Sequence, residues 1–420
     1  MNLSFLPFFS VARKGFTSQW KWLFVISLGW VLCLGQTSPA QAQEGLIEAQ
    51  PEVDYSFGER ITFRAQFPSE FTITSAEVFF QANSDPTIVA PADLRGDAWV
   101  YDHDVKARYV RAFGTVAYWF RVTLENGEIR ETEHFSFFYE DNRFAWQTLE
   151  AVPFRVHWHA GDTAFAQSIL DAARAGAQKA GLILDAEFTK TIEVYVYGKL
   201  ADYQYVRDVI APQWAGGHAD PEAGVIVVSL PLGENQALEV ERKIPHEVAH
   251  LMLYAATGEG FWNLPTWLNE GFASTQEQNP NSDYRDLVKS AVRQGTLIPL
   301  TTLCQPFSRD AASAVLSYAE ATLFVQYLQN RFGQEGVRAV VNAYANGAGC
   351  EQGTQIAPVN LPLAQLEREW REDEYAENIA LTALRIIAPW LILLGAVLVG
   401  PLLIFAGTRR SIPTPAVTKP

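Results

Sequence analysis

Two histidines four positions apart, His246 and His250, restrict the local fold of this chain more than any other feature. They lie in the mostly apolar stretch Ile-Pro-His-Glu-Val-Ala-His-Leu-Met-Leu-Tyr at residues 244–254. On an α-helix, residues i and i+4 lie on one face, one turn apart. The spacing therefore predicts a helix that presents both imidazoles on one side, with Glu247 beside the first of them.

This H-E-x-x-H pattern suits a zinc ion, because both imidazoles can reach one metal and Glu247 can reach the water on it. Zinc lowers the pKa of that water, and a carboxylate can accept its proton as the water attacks a carbonyl. With 7 His in the chain, a chance match is on the order of one in a hundred. A third ligand is needed to strengthen the prediction.

Glu270 supplies a candidate third ligand, twenty positions after His250. It lies in Pro-Thr-Trp-Leu-Asn-Glu-Gly-Phe-Ala at residues 265–273, where Pro265 favours a helix start. A second helix that carries Glu270 across the first would complete a two-His, one-Glu set and leave the fourth position for water.

These two segments together resemble the gluzincin zinc metallopeptidases. The resemblance implies that His246, His250 and Glu270 bind Zn²⁺ and that Glu247 is the general base. The stretch from about 153 to 372 also resembles the bacterial peptidase MA-like family. Related aminopeptidases carry a Gly-x-Met-x-Asn strand, whereas the only methionines here are Met1 and Met252. We therefore expect an endopeptidase, with a peptidase that binds the substrate amine in another way as the alternative.

Three further residues near these segments have two interpretations each. Tyr318 is the candidate donor to the developing oxyanion, since related enzymes place a Tyr downstream of the glutamate ligand; the alternative is a packed helix residue. His218 precedes an apolar strand at 225–230 that could pair with a substrate backbone; the alternative is a surface loop residue. Pro245 either starts the helix or kinks it. His157 and His159 share one strand face and are predicted to be structural.

The fold class is predicted as α+β. Residues 52–142 alternate apolar and polar side chains in short runs, with a hairpin signal at Asn126-Gly127, and favour an immunoglobulin-like β-sandwich used for spacing or docking. Residues 151–375 begin with strands at 154–158, 192–196 and 225–230 and are then mainly helical. This pattern predicts a gluzincin-type catalytic domain of a small sheet plus a helical lobe.

Both ends of the chain are apolar. Residues 1–43 are typical of a secretory signal peptide, with an uncleaved signal anchor as the alternative. Residues 386–407 carry no charge and predict one C-terminal transmembrane helix, followed by a cytoplasmic tail at 408–420 that begins near Arg409 and Arg410. These features predict a single-pass cell-membrane protein with an extracytoplasmic catalytic domain. Cys304 and Cys350 would then be free to pair, although spacing alone leaves two buried thiols equally open.

The predicted function is therefore a membrane-anchored zinc-dependent peptidase that acts on peptides or proteins. A formal net charge of -15 argues against nucleic acid as a partner. The sequence does not indicate an oligomeric state. The alternative is a non-enzymatic cell-envelope binding protein with a relic metallopeptidase fold, but such a scaffold would not need Glu247.

Overall fold

The computed structural model describes residues 45–210, 217–375, 384, 386–395 and 397–398. The described part is a mixed α+β protein with a large curled sheet first and a helical region last. The described residues belong to one compact unit. The predicted signal peptide at 1–43 and the predicted tail at 408–420 lie outside the described residues.

Nine strands form the first sheet. They are β1 (Gly45–Leu46), β2 (Gln50–Ser56), β3 (Arg60–Gln66), β4 (Ile73–Ala82), β5 (Ile88–Arg95), β6 (Ala98–Asp104), β7 (Gly114–Leu124), β8 (Ile129–Glu131) and β9 (Phe135–Tyr139). Their order is β1-β8-β7-β4-β5-β6-β3-β2, with β9 beside β7. The hairpin predicted at Asn126-Gly127 is confirmed between β7 and β8, where Gly127 has a φ of 82°.

The two separate sheets of the predicted immunoglobulin-like sandwich are not found, and this prediction is corrected. Strand β5 pairs with β4 through residues 88–92 and with β6 through residues 93–95, so one continuous sheet curls back on itself. Alternate side chains of both halves point inward, and Phe63 meets Phe80 with ring centroids 4.7 Å apart. A curled sheet and a sandwich bury the same alternating pattern, because each has one apolar face.

A second, five-stranded sheet follows, built from β10 (Gln147–Ala151), β11 (Phe154–Trp158), β12 (Ile192–Tyr197), β13 (Gly217–Asp220) and β14 (Val225–Ser229). The strand order is β10-β11-β12-β14-β13. Strands β11, β12 and β14 are parallel, and β13 pairs antiparallel with β14 at the edge. Helices α1 (Thr163–Leu184) and α2 (Leu200–Ile210) connect the parallel strands.

The two faces of the second sheet have different partners. Val194, Ile226 and Val228 belong to the apolar core that also contains the helices. Tyr195 and Val227 belong instead to the core of the first sheet. The first sheet and the domain that follows it therefore share a hydrophobic core, and the first sheet is not an isolated spacer.

Five helices complete the described fold. They are α3 (Gln236–Thr257), α4 (Thr266–Gln276), α5 (Tyr284–Gln294), α6 (Ala311–Ala345) and α7 (Leu363–Tyr375), with a 3₁₀ helix at Gly258–Asn263 after α3. Cys304 and Cys350 form a disulfide, which decides the alternative left open by the sequence.

Pro245 lies inside α3 and does not start it. Proline has no N–H to donate to the carbonyl four residues earlier, which here belongs to Glu241. That carbonyl accepts instead from the N–H of Gln278, at 2.9 Å. The ring packs against α1, where a side chain at Gly176 would lie 2.9 Å from the Pro245 Cα. Pro245 therefore ties the segment after α4 to the middle of α3.

The predicted membrane location is contradicted. Within the described part of the chain, no helix is long and apolar enough to cross a membrane. The predicted span at 386–407 lies partly outside the described residues.

Candidate metal centre

Helices α3 and α4 bring together the three residues predicted as metal ligands. His246 and His250 lie one turn apart on α3, and Glu270 lies on α4 opposite them. The Glu270 Oε2 atom is 3.5 Å from Nε2 of His246 and 3.9 Å from Nε2 of His250. Ligand atoms of a tetrahedral site with bonds of about 2.0–2.1 Å lie roughly 3.3 Å apart. The three atoms could therefore hold one ion with little adjustment.

The other ring nitrogen of each histidine has its own partner. Nδ1 of His250 is 2.9 Å from the Oδ1 of Asn269, and Nδ1 of His246 is 3.3 Å from the Oε1 of Glu277. Both partners are acceptors, so each imidazole donates from Nδ1 and turns its Nε2 atom toward Glu270. These contacts fix the orientation that a metal would require.

The sequence reasoning did not identify Asn269 or Glu277. Asn269 directly precedes the predicted ligand, so a search of its neighbours for side-chain acceptors would have found it. Glu277 could not be found in this way, because it reaches His246 only through the fold. It follows the last residue of α4, and its neighbour Gln278 is held by the Glu241 carbonyl that Pro245 leaves free.

The electrostatics of the centre favour a positive charge. Burial by itself would lower the pKa of His246, but hydrogen bonds to Glu270 and Glu277 outweigh it and raise that pKa to about 10. Burial raises the pKa of Glu270, yet the two histidines hold it below its usual value. A cation among these groups would be stabilised by the same carboxylates, and the donor set therefore fits a divalent metal ion.

Glu247 projects from α3 beneath the edge strand β13. Its side chain is buried, and a Cβ added to Gly217 would lie 2.3 Å from its Oε1 atom. Only a glycine at the start of β13 permits this close approach of backbone and carboxylate. Glu247 is thus held in a narrow space between the helix and the strand.

Tyr318 lies on α6 and lines the same cavity as Glu270. Its ring packs edge-on against Phe307, with centroids 5.1 Å apart. Burial, together with the nearby carboxylates of Glu270 and Glu247, raises the pKa of Tyr318, so its hydroxyl keeps its proton at neutral pH and is a donor. The structure therefore places Tyr318 at the centre, as the sequence predicted by resemblance.

His218 lies in β13 itself and not in a loop. The sequence assigned the substrate-pairing edge to residues 225–230, but β14 is an interior strand between β12 and β13. The edge is β13, which also borders the metal centre. Burial lowers the pKa of His218, although the charges of Glu247 and Asp220 act in the opposite direction.

His157 and His159 lie on β11 or just after it, on the face that meets the first sheet. His157 has an acidic partner that the sequence reasoning missed: its Nε2 is 2.7 Å from the Oε2 of Glu193. His159 stacks on Phe144 with centroids 4.0 Å apart. Neither residue lines the cavity at the metal centre, so their contacts are with the packed sheet.

Backbone hydrogen bonds hold the N-terminal end of α4. The N–H groups of Thr266 and Trp267 donate to the carbonyls of Cys304 and Leu303, at 3.3 and 2.9 Å. The loop that supplies these carbonyls is held by two buried carboxylates: Glu320 accepts from the Ile298 N–H and Glu367 from the Leu300 N–H, both at 3.0 Å. The position of Glu270 thus depends on α6, α7 and the disulfide.

A cavity of about 370 Å³ opens onto the centre. Its walls come from β13, α3, α4, the 3₁₀ helix and Tyr318, and also from Tyr109 and Arg111 of the first sheet. The cavity is large enough for several residues of a peptide, and the predicted ligands form part of its wall.

Residues 172–376 match the family model of the Peptidase MA superfamily. This confirms the resemblance that the two motifs indicated, and it assigns this part of the chain to a peptidase fold. The described residues also contain a possible His-His-Glu metal site, which suits a family that is typically metal-dependent. No curated protein matches the chain.

Three similar solved structures each cover about a quarter of the chain or less. A β-1,3-glucan-binding domain of carbohydrate-binding module family 56 is 17% identical and covers 21% of this chain and 98% of its own, with a TM-score of 0.17. A laminaripentaose-producing β-1,3-glucanase from Paenibacillus barengoltzii is 15% identical and covers 21% of this chain and 20% of its own, with a TM-score of 0.18. OgpA from Akkermansia muciniphila is 19% identical and covers 24% of this chain and 31% of its own, with a TM-score of 0.18. Similarities this low support no conclusion about this protein.

Proposed function

We propose that this protein is a zinc-dependent peptidase that hydrolyses bonds within peptide chains. The observation that carries the proposal is that one Glu270 oxygen lies 3.5 Å and 3.9 Å from the Nε2 atoms of His246 and His250, with Glu247 and Tyr318 on the same cavity. Two imidazoles and one carboxylate with an open fourth position are typical of catalytic zinc. The Peptidase MA match supports the reaction class.

His246, His250 and Glu270 would hold the metal. When bound, zinc would supply a water of lowered pKa and polarise the substrate carbonyl. Glu247 would accept the proton of the attacking water and pass it to the nitrogen of the leaving amine. The hydroxyl of Tyr318 would donate to the carbonyl oxygen as negative charge develops on it. The outer contacts of Asn269 and Glu277 would keep both imidazoles oriented throughout.

The substrate backbone would lie along β13. An edge strand has unpaired N–H and C=O groups that can bind an extended peptide by adding a strand to the sheet. Gly217 brings this edge next to Glu247, which would place the reacting carbonyl near the base. Cleavage inside a chain is favoured because the sequence lacks the Gly-x-Met-x-Asn strand with which related aminopeptidases bind a free amine.

The competing proposal is a non-enzymatic binding protein with a relic metal site. The buried Glu247 counts against it, because a carboxylate held beside the ligands but not among them has no use in a purely structural site. Glu247→Gln in the full chain separates the two proposals. We expect zinc to remain bound at about one ion per chain, measured by elemental analysis, while cleavage of a fluorogenic peptide library falls by about 10²–10⁴-fold.

Glu239→Gln is the matched control. Glu239 lies on the same helix, does not line the cavity and pairs with Lys243 at 2.6 Å, so its loss should leave the cleavage rate within about twofold of the parent. Full activity of the Glu247→Gln protein would refute the mechanism. A parent protein that binds zinc but cleaves no peptide would favour the relic instead.

A further inference from the structure

The connection between β6 and β7 brings the first sheet to the candidate active site. This β6–β7 loop, residues 105–113, contributes Tyr109 and Arg111 to the cavity that also contains His246 and Glu270. Tyr109 is 43% exposed, and Trp262, which also lines the cavity, is 62% exposed. Large side chains this accessible beside the metal centre are positioned to contact a ligand.

The β6–β7 loop is anchored firmly. Val110, Ala112 and Phe113 are buried, and the Phe113 ring lies 4.4 Å from the ring of Tyr195 on the second sheet. The Phe113 N–H donates to the Tyr139 carbonyl at 2.7 Å. The loop therefore has a fixed position between the two sheets, as a wall of a binding site must.

Arg111 joins the two domains at this wall. Its guanidinium lies 2.7 Å from Asp85 of the first sheet region, and 3.5 Å and 3.0 Å from Asp220 and Glu222 of the second. These four residues are the Arg111 cluster. Three carboxylates face one guanidinium, and Lys190, bonded to the Glu222 carbonyl, offsets only part of the excess. The cluster therefore carries net negative charge at the end of β13.

The register of β13 decides which substrate side chains would meet this wall. Directly opposite residues of an antiparallel pair project to the same face, and His218 is opposite Val227 while Asp220 is opposite Val225. Val225 and Val227 belong to the core on the side of the first sheet. A peptide added along β13 would thus turn every second side chain toward Tyr109 and the Arg111 cluster.

We propose that the first sheet is a specificity element of the peptidase, and that its wall favours basic over acidic side chains at alternate substrate positions. This inference rests on the proposed function. The excess negative charge attracts Lys or Arg and repels Asp or Glu, and the Tyr109 ring can pack against a cationic side chain. Arg111 is already held by three carboxylates, so it is not a free partner for an acidic substrate.

The test uses the full zinc-loaded protein and peptide pairs that differ only by Lys or Glu at each position around the cleaved bond. We expect kcat/KM to favour Lys by at least tenfold at one position, or at two positions separated by one residue. Arg111→Ala should raise this Lys:Glu ratio at least threefold, whereas Asp85→Asn should lower it at least threefold. Shifts of the Lys:Glu ratio in opposite directions would indicate an effect of charge. A loss of packing in the β6–β7 loop would instead change the ratio in the same direction in both variants.

Arg95 and Asp93 provide matched controls on the same sheet. They form an ion pair at 3.7 Å, and neither lines the cavity. Arg95→Ala and Asp93→Asn should leave the Lys:Glu ratio within about 1.5-fold of the parent. If the control variants changed the Lys:Glu ratio as much as the Arg111 and Asp85 variants, any charge on the protein would have the same effect. The preference could then not be assigned to the Arg111 cluster.

Measurements of peptide binding test the preference for basic side chains independently of catalysis. The dissociation constants of the same peptide pairs are measured by calorimetry on the Glu247→Gln protein. If peptides with Lys bind more tightly but the parent protein cleaves no peptide, the proposed function is refuted while the preference for basic side chains is supported. Cleavage with equal kcat/KM for Lys and Glu at every position would refute the proposed preference for basic side chains but not the proposed function. Failure of every peptide to bind would overturn both.

Discussion

Gly217→Ala is a sharp test of the centre, because it displaces Glu247 without changing that residue. The added Cβ would lie 2.3 Å from Oε1, 2.8 Å from Cδ and 3.0 Å from Cγ of Glu247. Carbon–oxygen contacts below about 3.0 Å are repulsive, so the carboxylate must retreat by roughly 0.7–1 Å. The atoms that move are the end of a flexible side chain, and we therefore expect the fold and the metal ligands to be retained.

A catalytic group misplaced by about 1 Å costs about 10²-fold in rate, which corresponds to roughly 2.7 kcal/mol of transition-state stabilisation. We expect Gly217→Ala to lower kcat/KM on a fluorogenic peptide by about that factor, with about one zinc per chain and an unchanged melting temperature. Gly45→Ala is the control, since its Cβ would meet only the Arg130 side chain at 3.7 Å.

A double-mutant cycle tests whether Gly217→Ala lowers activity by displacing Glu247. If Gly217→Ala acts by moving Glu247, adding it to Glu247→Gln should cost nothing further, so the two losses will not add. A loss of less than threefold in the single variant, with zinc bound, would refute the close contact between β13 and the general base. Additive losses would show that Gly217 acts on the substrate and not on Glu247.

Three further predictions concern the support of the centre. Glu277→Gln should weaken zinc binding about 10–100-fold, measured by competition with a chelator, because the charged partner of His246 Nδ1 is lost. Burial raises the pKa of Glu320 from 4.5 to about 8, so the stability present below pH 4.5 is lost as the pH rises through 8. Glu320→Gln should therefore reduce the loss of unfolding free energy between pH 5 and pH 9 by about 4 kcal/mol, in denaturant titrations. Replacing both Cys304 and Cys350 by Ala opens a loop with a sequence separation of 46 and should cost about 4 kcal/mol of unfolding free energy.

Each of these three has an outcome that contradicts it. Unchanged zinc affinity in Glu277→Gln would mean that Ser274, 3.5 Å from the same Nδ1, is a sufficient partner. An identical pH profile for the Glu320→Gln protein would mean that Glu320 is ionised in the fold. Unfolding curves of the cysteine-free protein that match the parent would mean that the two thiols are not bonded.

The sequence by itself was sufficient for the local parts of the centre. A separation of four residues places His246 and His250 on one helix face because the helix has 3.6 residues per turn. The motif around Glu270 resembled the correct family, and the match over residues 172–376 confirmed it. Alternating apolar residues predicted the strands of the first sheet for an equally local reason, since side chains of a strand point to opposite faces.

Sequence reasoning was wrong where one pattern fits two arrangements. Inward-facing residues alternate in the same way in a two-layer sandwich and in one curled sheet, and only the pairing of β5 with both β4 and β6 separates the two. The apolar run at 386–407 predicted a membrane span, but no helix of the described residues is long and apolar enough to cross a membrane.

Tertiary structure alone decided the rest of the site. Glu277 reaches His246 because a proline in α3 frees a carbonyl for Gln278, and no local spacing encodes that contact. Arg111 reaches Asp220 and Glu222 across 109 and 111 residues of sequence. Such contacts depend on how two sheets pack, whereas periodicity reports only on neighbours along one element. The sequence therefore determined which residues could bind a metal, and the packing of the two sheets determined what else surrounds it.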